Sequence, residues 1–130
     1  WPLAAFSNKR SFLSIDNLSY LIHNMLLNKQ LKSSVYNFAD DEALATNDLV
    51  KLIATSLNKK QALWHIPTNL VKAFVKIGDF IPLPLNSERL KKLTESYEVS
   101  NNKIKEALQI RKLPVTSVEG LQRTINSFKN

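Results

Sequence analysis

The apolar positions of this chain fall into short blocks whose spacing predicts a succession of brief strands and amphipathic helices. Phe12, Leu13 and Ile15 are bulky residues that suit a pleated, half-buried strand. Asp16 then stops the strand and offers a carboxylate to the free N–H groups of the next turn. Leu18, Leu21, Ile22, Met25 and Leu26 follow at helical spacing and form one apolar face of a helix reaching about Asn28. Residues 28–34 are polar and turn-like, and residues 35–39 carry β-forming side chains closed by Asp40, Asp41 and Glu42. Thr46 is the expected cap of a second helix, with Asp48 in its first turn and Leu49, Val50, Ile53 and Leu57 on one face.

Residues 62–66 read as a strand, after which Pro67 and Thr68 open a helix with apolar positions Leu70, Val71, Phe74, Val75 and Ile77. Residues 78–86 read as a loop, because Pro82 and Pro84 exclude helix and central strand alike. Asn86 or Ser87 then caps a short basic helix over residues 88–93, Tyr97 to Val99 forms a last strand, and Ser100 caps a helix over 101–108. Pro114 and the Thr116-x-x-Glu119 box announce a final helix that buries Val118, Leu121, Ile125 and Phe128. The sum is a small α+β or mixed α/β lobe of about five helices with short strands.

Composition narrows this further. At 130 residues and 44% hydrophobic, the chain is expected to form a single domain over residues 1–130 around one modest core. It has no Cys, so no disulfide framework or thiolate chemistry is open to it, and a reducing compartment is favoured. No apolar run approaches the roughly 20 residues that span a bilayer, and no signal-peptide pattern opens the chain. The expectation is a cytoplasmic protein with no membrane partner. The net charge of +7 permits an anionic ligand, but the lysines are spread over many segments, as solvated surface charge usually is. No aromatic-basic interleaving or zinc-finger spacing supports a nucleic-acid partner.

Candidate chemistry is sparse. The acidic triplet Asp40–Asp41–Glu42 looks like a metal or acid–base cluster, yet consecutive carboxylates point in different directions and no His lies near in sequence. His65 and His23 stand on separate elements without Cys, a weak basis for zinc, so both read as structural and no metal is expected. With two glycines, Gly78 and Gly120, the chain cannot build a glycine-rich dinucleotide turn. Arg10, at the entrance to the first strand, has a guanidinium whose planar fork matches phosphate oxygens; alternatively its stem lies over Phe12. Arg89 and Lys92 stand on the short basic helix, where free N–H groups and a cation together suit an anion.

The run Arg10-Ser-Phe-Leu-Ser-Ile-Asp-Asn-Leu18 resembles the Arg-x-Phe/Tyr-hydrophobic-x-Val-x-Asp-hydrophobic segment that opens the second domain of nucleotide-sugar epimerases and dehydratases, the extended short-chain dehydrogenase/reductases. Further likeness follows in the family's order: residues 35–49, the strand-Pro-helix at 62–68, residues 97–108, and Val118-Glu119-Gly120-Leu121. Gln109 departs from the family's usual Gly after the leucine. A Trp-Pro start without Met suits an excised fragment of such an enzyme.

The resemblance implies a substrate-binding lobe of an NAD-dependent UDP-hexose 4-epimerase, with its Rossmann domain absent. Arg10 would contact the pyrophosphate of the nucleotide sugar, and Ala5 and Phe6 would run beside the nucleotide base. The alternative for that opening segment is a terminus that packs Trp1 and Phe6 on the core. Arg89 or Lys92 would complete the phosphate clamp, Arg89 being favoured for its fork geometry. The family's catalytic Tyr-x-x-x-Lys is missing: Tyr20, Tyr36 and Tyr97 are followed at that spacing by Asn24, Asp40 and Asn101. The fragment is therefore expected to supply no catalytic residue and bind no cofactor, NAD(P) belonging to the parent. Its partners would be the nucleotide sugar, the missing Rossmann domain and, through apolar surface left by that domain, a second copy in a homodimer. The parent would plausibly supply sugars for bacterial surface polysaccharide. A dehydratase or reductase lobe, or a noncatalytic interaction domain, are the alternatives.

Overall fold

The computed structural model describes residues 2–61, 63–80 and 86–128. In chain order, the elements are β1 (Lys9–Arg10), α1 (Ile15–Leu27), β2 (Leu44–Ala45), α2 (Thr46–Ser56), α3 (Thr68–Phe80), α4 (Ser87–Thr94), α5 (Asn102–Leu108) and α6 (Ser117–Ser127). β1 and β2 pair as a two-stranded sheet. Among the described residues this is a small, helix-rich α+β chain with six helices, in line with the fold class expected from the sequence.

Contacts divide the chain into two compact units, Trp1–Lys9 with Ala45–Ser96, and Arg10–Leu44 with Tyr97–Asn130. Where length argued for one core, the described residues form two apolar clusters, one in each unit. In the first unit Leu3 packs with Val71 and Val75 of α3 and Leu90 of α4, and half-buried Phe6 and Ile66 close over them. In the second unit Leu21, Ile104 and Leu113 are joined by Met25, Tyr36, Phe38, Leu108 and Ile110. Leu21 and Ile104 are fully buried, each worth about 1.5–3 kcal/mol in area removed from water.

Several expected elements begin or end elsewhere. α1 starts earlier than expected: Ser14 is its cap, the hydroxyl accepting from the Asn17 N–H at 3.2 Å, and Asp16 falls in the first turn. Asp16 instead pairs with Arg123 of α6 at 2.5 Å. Residues 12–14 are irregular, and Ile15, expected in a strand, is an exposed first residue of the helix. Residues 35–39 are also irregular; the Asp40 N–H donates to the Phe12 carbonyl at 2.7 Å, and Tyr36 and Phe38 turn inward to the core. The expected strands at 62–66 and at Tyr97–Val99 reduce, among the described residues, to isolated bridges at His65 with Leu3 and at Tyr97 with Arg10.

α2 is capped by Ala45 without a side-chain hydrogen bond, and Thr46, its expected cap, is the first helical residue. α3 continues through Gly78 to Phe80, where a loop was expected; the remainder of that expected loop, residues 81–85, lies outside the described residues, as do Trp1 and Ala62. α4 is capped by Asn86, whose side chain accepts from the Arg89 N–H at 2.9 Å. α5 begins at Asn102, one residue later than expected, and ends on Gln109, which takes the left-handed conformation at φ 56°. That conformation usually selects Gly, which explains the Gly expected at this place; Gln109 adopts it with a modest backbone penalty. The box at the start of α6 forms as expected, Thr116 Oγ1 accepting from the Glu119 N–H at 3.2 Å and Glu119 Oε2 accepting from the Thr116 N–H at 2.9 Å. The backbone and hydroxyl hydrogen bonds from Thr116 hold the Glu119 carboxyl below its ordinary range.

The expected buried faces are half realised. On α3, Val71 and Val75 are buried, but Leu70, Phe74 and Ile77 remain 63%, 61% and 53% exposed. On α1, Leu21 is buried while Ile22 and Leu26 face outward, and Val118 of α6 and Phe128 at its C-cap are exposed. Among the described residues, no helix is long and apolar enough to cross a membrane.

Candidate functional site

Arg10 belongs to the second unit, in the first strand pair, where its backbone bridges to Tyr97 in parallel register. Its guanidinium carbon lies 5.3 Å from the centroid of the Tyr97 ring, a cation–π distance. The ring beside the Arg10 guanidinium is thus that of Tyr97. Ser11 fixes this pairing: its N–H donates to the Tyr97 carbonyl at 2.9 Å, and its hydroxyl accepts from the Val99 N–H at 2.9 Å. A ring face at this distance favours the guanidinium electrostatically. Tyr97 carries no sequence signal for this role, because nothing local ties it to Arg10.

The remaining expected site residues lie in the first unit. Ala5 is exposed, and Phe6 is half-buried against Leu3, Val75 and Leu90. On α4 the Lys92 ammonium pairs with Glu88 at 2.6 Å one turn back, and Arg89 stands in the first turn over the Asn86 cap. The hydrogen bonds and charge of Lys92 hold the exposed Glu88 carboxyl below its ordinary range. The α4 residues that share a groove with Phe6 are Ser87, Leu90, Lys91 and Thr94, which helical spacing places on one side of the helix. Lys72 and Lys76 of α3 complete that groove, a cavity of about 270 Å³. A different face of α3 lines an apolar cavity of about 350 Å³ with Pro2, Leu3, Ile66, Leu70, Val71 and Phe74.

Two carboxylates of the acidic triplet, Asp40 and Asp41, are occupied structurally. Asp40 accepts from the Ser14 N–H at 3.0 Å and from the Asn17 side chain at 2.7 Å; Asp41 accepts from Lys105 at 2.6 Å, Asn101 at 2.9 Å and the Leu113 N–H at 2.8 Å. The Glu42 carbonyl accepts from the buried Ser117 hydroxyl at 2.5 Å. Among the described residues, no group of three or more His, Cys, Asp or Glu side chains could hold a metal ion. His65 bridges through its backbone to Leu3 in antiparallel register.

Asp41 gives the chain a pH dependence. Burial pushes its carboxyl up, but hydrogen bonds from Lys105, Leu113 and Asn101, together with the Lys105 charge, outweigh this and hold it below its ordinary value. A carboxyl depressed in the folded state stabilises above its unfolded pKa, about 3.9, and that contribution is lost as pH falls through the lower folded value. Urea unfolding should therefore show the difference in stability between the wild type and Asp41→Asn constant from pH 7 to about 5 and shrinking below about pH 4. A difference independent of pH would contradict the pairing with Lys105.

No protein-family model matches the chain, and no solved structure matches it. Over 121 residues it is 29% identical to the UDP-glucose 4-epimerase of Vibrio cholerae, a stretch that covers 93% of this chain and 35% of that protein. The chain thus spans about a third of the length of the curated relative it matches. This modest likeness supports an epimerase-like relationship.

Proposed function

We propose that residues 1–130 act as one substrate-binding domain for a nucleotide sugar, a UDP-hexose, within an NAD-dependent 4-epimerase of the extended short-chain dehydrogenase/reductase type. The observation that carries this reading is the likeness to a UDP-glucose 4-epimerase along 93% of the chain. Arg10, oriented over Tyr97, is assigned to the pyrophosphate, since a bidentate guanidinium matches two phosphate oxygens. Ala5 and Phe6 are assigned to the nucleotide base, and Arg89 or Lys92 to phosphate. Hydride transfer and the dinucleotide are assigned to a separate domain, because this sequence has neither a glycine-rich turn nor a Tyr-x-x-x-Lys pair.

Such a domain is also the partner we assign to the exposed apolar faces of α1 and α3, a second copy of the chain being the other candidate. The absence of cysteine agrees with work in the cytoplasm. The test is calorimetric titration of the intact chain with UDP-glucose. Binding should be weakened about tenfold in Arg10→Ala, the loss of one charged bidentate contact of roughly 1.4 kcal/mol. Unchanged affinity in the variant would remove Arg10 from the site, and no binding of any nucleotide sugar to the wild type would overturn the reading.

A further inference from the structure

α3 is apolar on two sides, and its own unit uses one of them. Val71 and Val75 are buried with Leu3 and Leu90. Leu70, Phe74 and Ile77 follow one another at intervals of four and three, which aligns them as a single seam along the helix, yet each stays more than half exposed. The antiparallel bridge between Leu3 and His65 brings residues 2–3 beside residues 65–66, and Pro2, Leu3 and Ile66 share with Leu70, Val71 and Phe74 the apolar cavity of about 350 Å³. Leu3 and Val71 are buried there, but Leu70 and Phe74 present most of their surface to solvent. None of these six side chains carries a charge or a hydrogen-bonding group.

Water is a poor occupant of such a place, since an ordered water needs polar partners, and an apolar group covers it with a gain in free energy. The period of the seam selects the shape of that group. Positions i, i+4 and i+7 rise roughly 10 Å along the axis and match the apolar stripe of a second helix, whereas a strand, with its period of two, falls out of step. Length supplies the source. The likeness to the Vibrio cholerae protein takes in 93% of this chain but 35% of that one, so most of a protein of that length is other chain. We propose that the seam of Leu70, Phe74 and Ile77, with the adjoining cavity, seats an amphipathic helix from the rest of a longer protein. That helix sets a large aliphatic or aromatic side chain into the cavity and places no charge against the seam. The inference deepens the assignment of α3 to a separate domain and rests on it.

The chain has no cysteine, so one introduced thiol reports how open its position is. Phe74→Cys and Ile77→Cys replace exposed side chains on the seam, and Lys72→Cys replaces an exposed one on the far side of α3. In the 130-residue chain all three should react with a water-soluble maleimide at similar rates. In the full-length protein the two seam positions should react about tenfold more slowly, while Lys72→Cys keeps its rate, peptide mapping assigning the label. Seam thiols equally reactive in both proteins would overturn the proposal. So would equal slowing at all three positions, which marks general burial of α3, or slow seam labelling already in the 130-residue chain that quickens on dilution, which makes a second copy the occupant. UDP-glucose separates this inference from the proposed function: a covered seam in a full-length protein that binds no nucleotide sugar leaves the seam standing and that function fallen, and UDP-glucose binding with an open seam has the opposite meaning.

Discussion

Replacing Asn17 by Leu should lower the stability of the chain by about 3–5 kcal/mol, a large share of the 5–15 kcal/mol typical of a folded domain. Asn17 is fully buried near the start of α1. Its amide donates to Asp40 Oδ1 at 2.7 Å and to the Val115 carbonyl at 2.7 Å, while its Oδ1 accepts from the Val115 N–H at 3.1 Å. One side chain thereby completes both backbone groups of a buried residue and one oxygen of a buried carboxylate. Leu keeps the branched shape, with added bulk, but supplies no donor or acceptor, so both Val115 groups lose their partner away from water and Asp40 Oδ1 is left with the Ser14 N–H alone. The number of orphaned groups decides the size: each costs about 1–3 kcal/mol, with part recovered through relaxation.

Asn17→Asp separates hydrogen bonding from packing. It keeps the shape and can accept from Val115, but it cannot donate to Asp40 and sets a second carboxylate against it. Urea denaturation should find both variants strongly destabilised and Asn17→Asp recovering stability at low pH, where a protonated carboxyl again offers a donor. A loss under about 1 kcal/mol in Asn17→Leu would mean that water replaces the amide, contrary to the burial of the site.

Much of the helical plan was legible in the sequence because it rests on local chemistry. The Thr116–Glu119 box, the Asn86 cap and the Leu21 face of α1 need no distant partner. What sequence reading missed depends on distant contacts. Ser14 and Asp16 are both good caps, and the choice falls on Ser14, where Asp40, far along the chain, accepts its N–H. Residues 35–39 are β-forming by composition, yet Tyr36 and Phe38 pack on the core without a regular strand, so burial overrides propensity. The apolar spacing marks Leu70, Phe74 and Ile77 correctly as apolar but does not say whether anything covers them. The same limit hid two meetings of distant segments. The pairing of Arg10 with Tyr97 and the gathering of Lys72, Lys76 and Lys91 come from segments brought side by side, while the sequence presents scattered charge.

Gly120→Ala should destabilise the chain by about 2–3 kcal/mol, although Ala normally favours a helix over Gly by about 1 kcal/mol. The reason is the crossing of α6 with the start of α1. A Cβ built on Gly120 would lie 2.5 Å from the Ser14 Cβ and 3.6 Å from its Cα. A Cβ cannot rotate away as the tip of a long side chain can, so the backbones must part. Ser14 is poorly placed to yield, since its N–H is held by both Asp40 oxygens and its hydroxyl caps α1. Parting the helices would also strain the Asn17–Val115 link beside it. Removing the opposing atom tests this cause: Ser14→Gly clears the space and, as a cap, costs only a few tenths of a kcal/mol. The double variant Ser14→Gly/Gly120→Ala should therefore be more stable than Gly120→Ala alone, with a coupling of about 1–2 kcal/mol in a double-mutant cycle. Additive losses would place the penalty elsewhere on α6, and a stabilised Gly120→Ala would show that the two helices part freely.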